Sequence, residues 1–174
     1  MSKAVMLSIR PKWCEKIVNG DKTIEVRKTR PKMNTPFKCY IYCTLQGCNE
    51  FFRVDLGRDV AKWNRGKWAD RKGNVIGEFT CDRIFPINVF DNGGIQNWLF
   101  EHMERSCLTY EELADYIGNG RTGYGWHISG LRIYDAPREL SEFTGLRDTR
   151  FGAAPYDIKR APQSWCYVEA TEDD

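Results

Sequence analysis

"NGDKTIEVRKTRPK", residues Asn19 to Lys32, places a glycine turn before an alternating run and gathers a lysine, a threonine, a glutamate and several arginines around two apolar side chains. In "TIEVR", Ile24 and Val26 share one face of an extended strand, and Thr23, Glu25 and Arg27 share the other. The apolar pair seats the strand on a core. The opposite face then presents a carboxylate and a guanidinium about 7 Å apart at i and i+2. Upstream, Lys12 to Asn19 reads as a helix, with Pro11 suited to its first position and Gly20 to its C-terminal cap. Trp13 and Ile17, four residues apart, fall on its buried face with Cys14 and Val18.

Working outward, Lys38–Thr44, Asn74–Phe85, Gly125–Tyr134 and Ser164–Glu169 read as strands, each rich in β-branched or aromatic residues. A helix pair is expected between Gly93 and Tyr116. Within it, Thr109 and Glu112 have the spacing of a capping box, and Gly118 closes the helix. Short strands with helices between them predict an α+β domain on a small, closed β-barrel with flanking helices. With 174 residues, 41% hydrophobic content and no repeat or long linker, the chain reads as one domain spanning residues 1–174.

The segment at about 46–73 is polar and the least core-like. Its "KWNRGKWADRKG" interleaves Lys62, Arg65, Lys67, Arg71 and Lys72 with Trp63 and Trp68. Cations that engage phosphates beside indoles that stack on bases suit single-stranded nucleic acid or a loop closing over one base. Tryptophans packed back onto the barrel are the competing reading. The charge distribution also points to an anionic partner. Residues 1–38 hold ten Lys/Arg against three Asp/Glu, and the rest of the chain holds sixteen against twenty-one. The alternative is a solvated basic face.

Apolar runs of a few residues fall well short of the roughly 20 a membrane helix needs, and "MSKAVMLSIRP" lacks a secretory apolar core, so a cytoplasmic protein without a membrane partner is expected. Seven scattered cysteines without a CxxC pair, and only two histidines, predict reduced thiols and no metal or other cofactor. Cys39 and Cys43, on one strand, would stand ~13 Å apart. His127, alone in a strand beside Trp126, reads more readily as structural than catalytic, and His102, beside Glu101 and Glu104, as exposed.

"SIRPKWCEKIVNGDKTIEVRK" resembles the signature of the ASCH family, a helix followed by G-x-K-x-x-E-x-R, matched by Gly20, Lys22, Glu25 and Arg27. "YIYCT", "VIGEFTCDRI", "GWHISGLRIYDAPRELSEF" and "APQSWCYVE" also resemble the family's strands. The resemblance implies a PUA-like barrel with a motif-lined cleft that binds RNA, a nucleotide or a modified nucleoside. Lys22, Glu25, Arg27 and Lys28 would contact the ligand, and Trp13, Trp63 or Trp68 would supply a stacking surface. One bacterial branch of the family removes the acetyl group of N4-acetylcytidine with a lysine, a threonine and a glutamate. Here the lysine corresponds to Lys22, the threonine's place is held by Glu25, and Glu104 is the carboxylate closest to the third position. An amidohydrolase using Lys22, Thr23 and Glu25, or a ribonuclease, is thus the alternative expectation. Apart from a ligand, the motif could be an ion pair that only holds the barrel mouth.

Overall fold

A computed structural model describes residues 2–45, 71–91, 94–96 and 100–171. In chain order the elements are β1 (Lys3–Ile9), α1 (Pro11–Val18), β2 (Ile24–Arg27), β3 (Phe37–Cys43), β4 (Val75–Val89), β5 (Ile95–Gln96), α2 (Phe100–Ser106), α3 (Tyr110–Ile117), β6 (Thr122–Arg138), β7 (Thr144–Thr149), β8 (Gly152–Asp157) and β9 (Trp165–Glu169). This is an α+β fold, but the expected closed barrel is not found: among the described residues the strand path has two ends, β2 and β8, that do not pair with each other. The residues gather into two compact units, one of Met1–Glu15, Lys38–Glu78 and Arg132–Asp174, the other of Lys16–Phe37 and Phe79–Leu131.

In the first unit β1 pairs in parallel with β3, from Val5↔Cys39 to Ile9↔Cys43, and antiparallel with β9. β9 then pairs with β7, which forms a hairpin with β8. β1 is buried from Ala4 to Ile9, as a strand flanked on both sides and covered on both faces must be. That explains why "KAVMLSI" shows no alternation and why periodicity does not reveal it. Met6, Tyr40, Tyr134, Phe143 and Val168 form the core of this unit. Arg71, expected among the interleaved cations of the polar segment, is 3% exposed, and its guanidinium donates to the carbonyls of Tyr134 (2.9 Å) and Asp135 (3.0 Å). It holds structure in place of a free ligand. Gly77 is obligatory: a Cβ there would stand 2.5 Å from the Arg132 carbonyl oxygen.

In the second unit β2 pairs antiparallel with β6, β6 neighbours β4, and β5 pairs with β4. Val26, Ile87, Val89, Leu113 and Ile117 pack together beneath these elements. The local rules hold here. Pro11 opens α1, and Gly20 follows it at φ +81°, in the left-handed region glycine adopts without strain. Thr109 and Glu112 form the expected capping box, with Glu112 N–H donating to Thr109 Oγ1 (3.2 Å) and Thr109 N–H to Glu112 Oε2 (2.8 Å). His102 departs from expectation. It is half-buried, its ring tilted against Phe85 at 4.5 Å, and burial pushes its pKa down.

Six of the seven cysteines fall on described residues, and none of the six is in a disulfide. Among the described residues no helix is long and apolar enough to cross a membrane.

Candidate functional site

The decisive segment runs from the end of α1 through a turn into β2. Gly20 N–H donates to the Ile17 carbonyl and Lys22 N–H to Lys16, both at 3.0 Å, which shape the turn. The C-terminal end of α2 is stitched onto it. Thr23 N–H donates to the Arg105 carbonyl (2.9 Å), Lys22 Nζ to the Ser106 carbonyl (2.6 Å), and Cys107 Sγ to the Asp21 carbonyl (3.4 Å). A helix leaves its last carbonyls without intrahelical partners, and a cation there is favoured by the helix dipole. Lys22 meets both conditions.

Glu25 joins the motif together. Its Oε2 lies 3.3 Å from Lys22 Nζ and its Oε1 3.0 Å from Arg27 NH2. Lys22, Glu25 and Arg27 are 2%, 6% and 7% exposed, so the face expected to be open is closed. The covering element is α2, which reaches this strand only in the folded chain. Across the pairing to β6, Glu25 sits opposite Trp126 and Arg27 opposite Tyr124. Trp126 is completely buried, its ring in a T-shaped contact with that of Phe37 at a centroid separation of 5.7 Å. One carboxylate between two cations satisfies charges that would be costly to bury singly. Hydrogen bonds from Lys22, Thr23 and Cys107 tie the turn that carries Asp21 and Thr23 to the end of α2.

Beside it lies an open cleft of about 400 Å³ lined by Gly20, Asp21, Thr23, Glu104, Arg105 and His127. Gly20, Asp21 and Thr23 are thus the members of the motif segment that reach the cleft, and Glu104 joins them from α2. His127 is placed by the sheet: it sits opposite Ile24, and the neighbouring Ile128 N–H donates to the Thr23 carbonyl (2.9 Å). Its Nδ1 lies 2.5 Å from Asp82 Oδ1 on β4. Burial pushes the Asp82 carboxyl up, but its hydrogen bond to His127 and the neighbouring charges outweigh this and hold it below the usual range. Arg105 makes an ion pair with Glu101 at 2.8 Å and remains partly exposed. Asp82, Arg105 and Asp21 were not legible as site residues, because no local spacing links them to His127. The pairing of "TIEVR" with "GWHIS" is the only signal that could have found part of this cluster.

Of the remaining expected ligand residues, Lys28 and Trp13 are described. Lys28 is exposed, its ammonium 5.1 Å from the Tyr116 ring centroid. Trp13 is half-buried in the first unit, with Lys12 Nζ 4.7 Å from its ring. Trp63 and Trp68 lie outside the described residues. Among the described residues no three His, Cys, Asp or Glu side chains converge as a metal site.

No family model matches the sequence, and no curated protein matches it. Solved structures do. The chain is similar to the crystal structure of ASCH from Zymomonas mobilis, with a TM-score of 0.50 and 18% identity over 95% of this chain and 87% of that one. A tyrosine-to-phenylalanine variant of that protein matches at TM-score 0.51 and 17% identity, over 97% and 91% of the two chains. A serine-to-alanine variant matches at 0.51 and 18%, over 95% and 88%. At such identities the likeness concerns the fold, and the fold is that of an ASCH domain.

Proposed function

Given an ASCH fold, we propose that this chain is a single domain over residues 1–174 that binds RNA, or a nucleotide or modified nucleoside, at the cleft beside Lys22, Glu25 and Arg27. The observation that carries the reading is the cleft itself. At about 400 Å³ it has the volume of a small-ligand site, and the motif's ion network fixes one wall of it. Lys22, Glu25 and Arg27 support that wall, and Thr23, Glu104, Arg105 and His127 face the ligand. Lys28, Arg30 and Lys32 are exposed along the segment that leaves β2, where they can follow a phosphate backbone.

The test is fluorescence anisotropy with labelled single-stranded RNA over a salt series. Affinity is expected to fall with salt, and a Lys28→Ala, Arg30→Ala double variant to flatten the logarithmic slope by about one for each phosphate no longer neutralised. Salt-independent binding, or none, would sink the reading.

A second reading is favoured by one observation: Thr23 and Glu104 line the same cleft. A threonine hydroxyl attacking an acylated amine, with a carboxylate as proton acceptor, is the alternative amidohydrolase. In it Lys22, donating to the Ser106 carbonyl and paired with Glu25, serves as a fixed donor in place of a base. Incubation with N4-acetylcytidine decides it: acetate release that Thr23→Ala abolishes supports it, and no release removes it.

A further inference from the structure

We infer that the cleft selects nucleobases bearing an exocyclic amino group over their oxo counterparts, with His127 acting in its uncharged form. The inference rests on the binding reading above and names what the same site prefers.

It follows from what the cleft walls can donate and accept. An amino group offers only protons, and an oxo group only lone pairs. Asp21 and Glu104 are carboxylates that only accept, and Thr23 can do either. Two of the backbone N–H groups on this wall are already used: Gly20 donates to Ile17 and Thr23 donates to Arg105. Asp82 is a charged acceptor against Nδ1 of His127, so the proton of that 2.5 Å contact belongs to the ring. An uncharged His127 is then left with Nε2 as a lone-pair acceptor. Arg105 is the donor on this wall, suited to a ring nitrogen or carbonyl adjacent to the amino group.

Several acceptors beside one donor complement the pairing edge of cytosine or adenine. They do not complement uracil or hypoxanthine, whose oxo group would face carboxylates. A phosphate seated in the cleft would meet Asp21 and Glu104 as like charges.

The charged groups around His127 are Asp82 on β4, with Arg83 next to it, Glu104 and Arg105 on α2, and Asp21 in the turn before β2. Protonation of His127 turns Nε2 from acceptor to donor. Discrimination therefore belongs to the uncharged ring, which a comparison of pH 8 with pH 5.5 tests.

The experiment compares single-stranded octauridylates with and without one central cytidine, and free cytidine with uridine, by anisotropy competition at both pH values. The cytidine form is expected to bind about tenfold tighter at pH 8, the worth of one well-made hydrogen bond against one forfeited. The ratio is expected to fall from pH 8 to pH 5.5 and to approach one in His127→Phe and in Glu104→Gln. Glu104 is exposed, so the last variant keeps the fold, which circular dichroism checks. Equal affinities at pH 8 would overturn the inference while leaving the binding reading standing. A preference that persists unchanged at pH 5.5 would overturn the role given to His127. Failure of every RNA and nucleoside to bind would sink the inference together with the reading on which it rests.

Discussion

Glu25→Ala is expected to lower the stability of the protein by about 3 to 5 kcal/mol, the usual cost of removing one partner from a buried charge network. For a chain of this length that is a fall in melting temperature of roughly 6 to 20 °C. The cause is the group left behind. Lys22 and Arg27, at 2% and 7% exposure, would face each other across a cavity with no anion between them. Glu25→Gln should cost less, since its amide oxygen still accepts. Replacing all three residues together by Met or Leu should cost much less than the sum of the single losses, because no charge then remains buried. Calorimetry of the four proteins is the measurement. A Glu25→Ala protein within about 1 kcal/mol of the parent would show that the network behaves as an exposed ion pair.

Trp126→Ala should be of similar size, about 3 to 5 kcal/mol, for a different reason. Its indole is completely buried, stands opposite Glu25 in the β2–β6 register, and makes a T-shaped contact with the Phe37 ring at 85°. Truncation empties the volume against which the ion network is seated. Trp126→Phe keeps a ring for the edge contact and should lose less than half as much. Urea midpoints at unchanged slope would report both values. If the alanine variant loses under about 1 kcal/mol, the packing around Trp126 is looser than the structure shows. The two substitutions touch one assembly, so their effects should be non-additive.

What could be read from the chain was what depends on near neighbours. α1 begins at Pro11 and is followed by the positive-φ Gly20; α3 carries its capping box; β2 forms where the sequence alternates. Each follows from interactions among residues at most four positions apart. β7 and β8 were invisible for the opposite reason. "TGLRDT" and "GAAPYD" have little strand character of their own and become strands by pairing with each other and with β9. There Gly145 admits the Tyr156 ring, which a Cβ would meet at 2.3 Å. β4 and β6 also run beyond their expected ends, because pairing continues past the apolar core of each segment. The ASCH resemblance carried by Gly20, Lys22, Glu25 and Arg27 agrees with the likeness in fold to the solved ASCH structure.

The candidate site divides along the same line. The spacing of Lys22, Glu25 and Arg27, at i+3 and i+2, was enough by itself to make these three charges meet, since no distant part of the chain is needed to bring them within reach. Whether they would face water or be closed in was not in that spacing. It was decided by Ser106, 84 residues further on, whose carbonyl at the end of α2 takes the Lys22 ammonium, and by the pairing with β6 that brings Trp126 opposite Glu25. The cleft is tertiary in the same sense. Asp82, Glu104, Arg105 and His127 come from three separate elements, and only the docking of α2 and the register of β2 on β6 put them beside Thr23. Local sequence chose the charges because their meeting costs little chain entropy; the long-range contacts, which must first offset loop closure, chose which of them a ligand can reach.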